Sequence, residues 1–316
     1  PQPELANSFN TVTYTGNGSA TQSINTVGFQ PDLVWIKARG LNQSANIFDS
    51  IRGGELLRPT STSASGGDYV GYINDGFQFK ITDPGWNQNG QNYVAWNWKA
   101  SNESTINQEG SVTSIVSANP AAGFSVVRHT GTGSAATVGH GLSSTPELII
   151  RKDRDAATDW WVYASVSPYF GYLNHTDAFQ SANNAAYSYN QTVPTSTIFN
   201  VGNTYSGNVN NNDYIAYCFH SVDGYQKVGS YSGSGGAGNA QDVGFAPDFL
   251  MVKSTNATTN WAIFDTSRPG KRLQADLSNA EGDDTRVTLT STGFQFTGAA
   301  FNETGRDWIY LAIKAN

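Results

Sequence analysis

The chain has 316 residues, a net charge of −7, and only 14% charged against 38% apolar and 12% aromatic residues. That length suits more than one domain, and the aromatic content excludes a disordered chain. Lys and Arg gather only at Arg151-Lys152-Asp153-Arg154, which argues against nucleic acid or an anionic membrane as main partner.

No apolar run reaches the roughly 20 residues of a membrane helix, so membrane insertion is not expected. The single cysteine, Cys218, cannot form an internal disulfide and sits in an apolar run, which reads as a buried thiol. A start at Pro1 rather than Met suggests a trimmed product.

In chain order, Phe9–Tyr14 alternates as a half-exposed strand does. A Gly-rich turn follows at residues 15–20. Leu33-Val34-Trp35-Ile36-Lys37 is almost continuously apolar, as in a strand buried on both faces, and Pro31 is tolerated near its head. Ile47–Arg52 comes next, then Gly76–Ile81, a polar loop over 83–90, and a strand at Tyr93–Trp98.

This series is written three times. Aromatic Phe9, Phe124 and Tyr225 open the units, and Pro31, Pro146 and Pro247 follow at one offset. Between them lie the turns TGNGSA, TGTGSA and SGSGGA. Tyr-x-Ala closes each unit at Tyr93, Tyr214 and Tyr310. No stretch has a sustained helical period. The predicted fold is all-β: three tandem β-sandwich modules of jelly-roll or lectin-like type. The divisions are module 1 at 1–100, a linker at 101–123 with one strand, module 2 at 124–221 and module 3 at 222–316. The lysines closing the apolar runs, Lys37, Lys152 and Lys253, are expected where each strand leaves the core for solvent.

GFQPDLVWIK (28–37), IFDSIRG (47–53), DGFQF (75–79) and YVAWNWKA (93–100) together resemble a repeated domain of marine bacteriophage tail-fibre and virion proteins. Residues 130–152 and YIAYCF (214–219) resemble its sister variant. The resemblance covers roughly residues 9–315. It implies a virion-surface protein acting in host attachment, with other virion proteins and a host glycan or surface protein as partners. By family analogy it implies a homo-oligomer, a trimer, and it carries over no catalytic residue and no cofactor. The alternatives are a capsid decoration or fibre spacer, and behind those a glycan-degrading tail enzyme.

Trp86, in the polar loop DPGWNQNG with Asn87 and Asn89, is the best candidate platform for a sugar, since binding residues concentrate on loops. The bland reading is packing against a neighbour. Alternation at Trp160-Trp161 puts one ring inside and one outside, the outer one being a second candidate. Asp49 with Arg52, and Asp265 with Arg268, could grip a glycan through a bidentate arginine. Their apolar neighbours and repeated position favour a structural pair, which module 2 does without.

Asn208–Asp213 and Asn279–Asp284 offer oxygen ligands without the spacing of a calcium loop. The four histidines are scattered through the middle unit, so no metal site is expected. Asp32, Glu147 and Asp248 each follow the repeated proline and read as repeat features rather than a glycosidase pair. No nucleophile elbow or GK[ST] loop appears, and no enzyme activity is expected.

Overall fold

The computed structural model describes residues 7–167, 170–180, 192–203 and 207–315; Pro1 lies outside them. Every regular element among the described residues is a β-strand. Three larger antiparallel sheets share one strand order. In the first, opening strand Phe9–Thr15 pairs with closing strand Asn92–Trp98, which pairs with Leu33–Ala38, the strand after Pro31, and that with Asn46–Asp49. The second sheet repeats this order with Phe124–Thr130, Asp213–Phe219, Leu148–Asp153 and Trp161–Ala164. The third repeats it with Gln226–Ser232, Asp307–Ile313, Phe249–Ser254 and Ala262–Asp265. Against each lies a smaller sheet: Ser23–Ile24, Gly76–Phe79 and Val70–Ile73 in the first repeat, Ala136–Gly139 with Ile198–Val201 in the second, and Ala240–Asp242, Gly293–Phe296 and Val287–Leu289 in the third. The architecture is β-sandwich-like.

Strand register makes the repeats comparable residue by residue and corrects two sequence anchors. Trp98, Phe219 and Ile313 each face the first residue of the proline strand. Tyr93 and Tyr214 are therefore equivalent to Trp308, and the Tyr310-x-Ala motif is two residues out of step. Likewise Gln226, not Tyr225, occupies the place of Phe9 and Phe124. The 101–123 stretch, expected to hold one strand, holds two: Thr105–Asn107 and Ser114–Asn119 form a hairpin that extends the second large sheet.

The proline strands explain the core. Side chains alternate across a strand, so Val34 and Ile36, Ile149, and Leu250 and Val252 enter separate clusters inside their own repeats. Leu33 and Trp35, Leu148 and Ile150, and Phe249 and Met251 turn the other way into one central cluster fed by all three repeats. Aromatic rings knit its proline end. Trp98 lies 6.4 Å from Phe219 and 5.8 Å from Phe249, and Phe9 lies 5.5 Å from Phe249. Each fully buried side chain of this kind contributes about 1.5–3 kcal/mol, so the shared cluster makes the repeats energetically dependent on one another.

The three lysines have the parity of the central face. They do not emerge into solvent: Lys37, Lys152 and Lys253 are 1%, 0% and 0% exposed. Two residues beyond each, a backbone carbonyl receives an amide from the next repeat. Glu281 N donates to Arg39 O, Ser65 N to Arg154 O and Phe179 N to Thr255 O, each at 2.8 Å. The contacts run from first repeat to third, third to second and second to first, so the joints close a ring.

Candidate functional site

Trp86 does not present a ring to solvent. It is 1% exposed, packed edge-on to Phe48 at 5.7 Å, with its indole N–H directed at Ile81 O. The polar loop around it misled the sequence reading because Asn87 turns inward with it. Asn87 is fully buried, accepts the amide of Asn17 at 3.0 Å and donates to Ser19 O at 2.6 Å. Asn89 is exposed on the same loop.

Asn87 belongs to a threefold device. Asn208 donates to Ser134 O and Asn302 to Gly236 O, each at 2.6 Å, and both are fully buried. Each asparagine latches the Gly-x-Gly loop after its opening strand. The first glycine of each loop, Gly16, Gly131 or Gly233, runs so close to the facing chain that a Cβ would meet a carbonyl oxygen at 2.4, 2.1 and 2.1 Å. Asn208 therefore serves this latch rather than a calcium loop. Asp213 and Asp284 are likewise occupied, by Arg128 at 2.8 Å and by Arg272 at 2.9 Å.

Trp160 and Trp161 take opposite faces as expected, but neither is outside, because both faces of the sheet are covered. Trp160 joins the central cluster and donates to Arg58 O of the first repeat at 3.0 Å; Trp161 enters the second repeat's own cluster. Trp261, equivalent to Trp160, donates to Tyr172 O of the second repeat at 2.8 Å.

The acid–arginine pairs sit at the same joints, with side chains fully buried. Asp49 Oδ1 accepts Arg52 N at 2.9 Å, while Oδ2 accepts Arg52 Nε at 2.5 Å and the Tyr217 hydroxyl of the second repeat at 2.8 Å. Asp265 Oδ2 accepts Arg268 Nε at 3.0 Å and the Trp96 indole N–H of the first repeat at 2.9 Å. Arg268 also lies over the Trp96 ring, 5.5 Å from its centroid. The Asp49–Arg52 pair, with both carboxylate oxygens engaged, is not placed to reach a glycan in solution.

Lys253 Nζ donates to the carbonyls of Thr176, Asp177 and Thr259 at 2.8–2.9 Å; Lys37 Nζ reaches Gln43 O and Leu277 O. Burial pulls both ammonium groups, and that of Lys152, down to about 8. Nearby, burial raises the Asp276 carboxyl to about 6. The acids after the proline cap the chain as it leaves the closing strand: Asp32 accepts Ala100 N at 2.7 Å, Glu147 accepts Ser221 N at 2.5 Å and Asp248 accepts Ala315 N at 2.8 Å. None is positioned as half of a carboxylate pair across a cleft.

One concavity was not foreseen. A cleft of about 300 Å³ opens in the third repeat, lined by Phe264, Asp265, Arg268, Lys271, Asp284 and Leu289 among others. Asp265 Oδ1 is buried and receives no hydrogen bond. In the first repeat the position of Leu289 is held by Tyr72: each faces the phenylalanine of its Gly-Phe-Gln-Phe strand, Phe294 and Phe77. The Tyr72 hydroxyl is enclosed, and burial, then the adjacent Asp49 carboxylate, push it well above the usual phenol range. A register alignment, available only with the strands paired, is the signal that distinguishes these two positions.

Among curated proteins none matches the chain. A family model described as a domain of unknown function, DUF7483, matches residues 5–316, all three repeats within a single family domain, and the chain belongs to that family.

Proposed function

We propose that the protein is a bacteriophage virion-surface or fibre component that acts in attachment to the host surface, with each repeat a jelly-roll or lectin-like module and recognition multiplied by copies. The observation that carries this reading is the closed ring of joints. It joins the three repeats through backbone hydrogen bonds and a shared core, and each repeat carries one latched Gly-x-Gly loop at the end of its sheet away from the proline. Three equivalent loops in one joined unit favour multivalent binding, in which weak contacts add to large avidity. The low charge and the amide-rich exposed loops suit neutral glycans. The resemblance of GFQPDLVWIK, IFDSIRG and YVAWNWKA to virion repeats is the other support.

Purified protein added to host cells is expected to lower phage adsorption in a dose-dependent way. A second reading, a non-binding decoration or spacer, is favoured by the burial of Trp86, Asn87, Trp160 and Trp161. It predicts unchanged adsorption, and particles lacking the chain that lose resistance to heat.

A further inference from the structure

We infer that the cleft of the third repeat is a subsite for a neutral pyranose ring. The inference rests on the attachment reading for its biological sense, though not for its geometry. The cleft of about 300 Å³ has room for one sugar ring, given that a water occupies about 30 Å³ in the liquid. Its walls are of two kinds. Phe264, Val287 and Leu289 offer apolar surface for the C–H face of a ring, and Thr288 and Lys271 stand at its polar side. Asp265 supplies a buried carboxylate oxygen that no protein donor reaches. Leaving such an oxygen unpaired is unfavourable, and a ligand hydroxyl removes that penalty.

Charge selects against other ligands. The charges lining the cleft are already paired within the protein, Asp265 with Arg268, Asp284 with Arg272 and Arg286, and Lys271 with Asp283, so none is left over for an ion. A neutral polyol can donate to the carboxylates and accept from the cations. The first repeat provides the internal contrast. There Tyr72 replaces Leu289 beside the same acid–arginine pair, and both oxygens of Asp49 are already engaged.

The test uses the full chain and the methyl glycosides of glucose, galactose and mannose, with saturation-transfer NMR as readout. Wild type is expected to show transfer to at least one glycoside. Leu289→Tyr, which copies the first repeat, is expected to weaken it at least tenfold. Thr288→Trp, at an exposed rim position, is expected to do the same without touching the core. The inference is overturned if wild type shows no transfer to any of the three, or if both variants fold and retain it. Adsorption competition separates this inference from the attachment reading. Variants that bind no glycoside yet compete as wild type does sink the cleft as receptor site and leave attachment standing. Variant-sensitive glycoside binding with no competition by wild type sinks attachment and leaves the cleft.

Discussion

The joint between the first and third repeats differs from the joint between the second and third. At the first, Asp265 and Arg268 meet Trp96. At the second, the equivalent positions are Ala164 and Leu311, both apolar and both in the central cluster. The joint between the first and second repeats is polar again, with Asp49 and Arg52 on Tyr217. Acid, arginine and a hydrogen-bond donor on the facing closing strand thus occur together, and where the donor is absent the acid and arginine are absent too. Removing one partner of a buried ion pair costs about 3–5 kcal/mol, whereas replacing the whole set with apolar groups is often neutral. The middle repeat did not lose a site; its joint is built in the other permitted way.

The comparison breaks most visibly at Arg268. Arg268→Ala leaves the Asp265 carboxylate buried without its charge partner and is expected to cost about 3–5 kcal/mol in chemical unfolding. Asp265→Ala with Arg268→Met and Trp96→Leu converts this joint to the pattern of the second and third repeats, and is expected to recover most of that loss. If the triple variant is as unstable as the single one, the two joints are not alternatives of one design.

A second contrast lies within the equivalent stacked pairs beneath the latched loops. Tyr14 stacks on Tyr93 at 5.2 Å and Tyr231 on Trp308 at 6.1 Å, but the middle repeat uses His129 on Tyr214 at 5.0 Å. Neither ring nitrogen of His129 has a hydrogen-bond partner. Burial, with Arg151 close by, lowers its folded pKa to about 3. Below the unfolded value of about 6.5 the unfolded chain takes up a proton that the folded chain refuses, so stability falls as pH falls from there toward 3. Near pH 4.5 the loss is about 3 kcal/mol. Burial raises Asp276, and Asp32 as well, and both act in the opposite direction. The clean measurement is therefore the difference between His129→Phe and wild type. The variant is expected to gain on wild type steadily below pH 6, and parallel pH curves would refute the assignment.

The sequence made the repeat, the all-β class and the core strands legible, because apolar alternation and turn residues are local signals. It did not make the joints legible. Trp86 sits in a loop of Asp, Pro, Gly, Asn and Gln, and only the inward turn of Asn87 shows why that polar stretch is interior. Trp160-Trp161 alternates as predicted, yet whether the outer face of a strand meets water depends on a neighbouring repeat that no local pattern reports. The same holds for Lys37, Lys152 and Lys253. A lysine closing an apolar run reads as an exit to solvent unless one knows that carbonyls of an adjoining loop are waiting for it.

Those lysines yield the subtlest test. Their folded pKa values of about 8 lie below the ordinary 10.5. At neutral pH both folded and unfolded chains keep the protons, and the folded state carries buried ammonium groups. As pH rises through 8 the folded chain releases protons that the unfolded chain still holds, so stability should rise, by at most about 1.4 kcal/mol per pH unit for each lysine. The clear window is pH 8–9. Above it, Cys218, raised by burial to about 12, and the buried tyrosines reverse the sign, because the unfolded chain then loses protons first. Lys253→Met removes a donor from three carbonyls, of which Thr176 O keeps the amide of Thr259, and should lower stability at every pH. It should also remove about a third of the rise between pH 8 and 9, since it deletes one of three equivalent groups. An unchanged slope in that variant would mean that Lys253 holds its proton through the window, stabilised by its carbonyl cage more than burial penalises it.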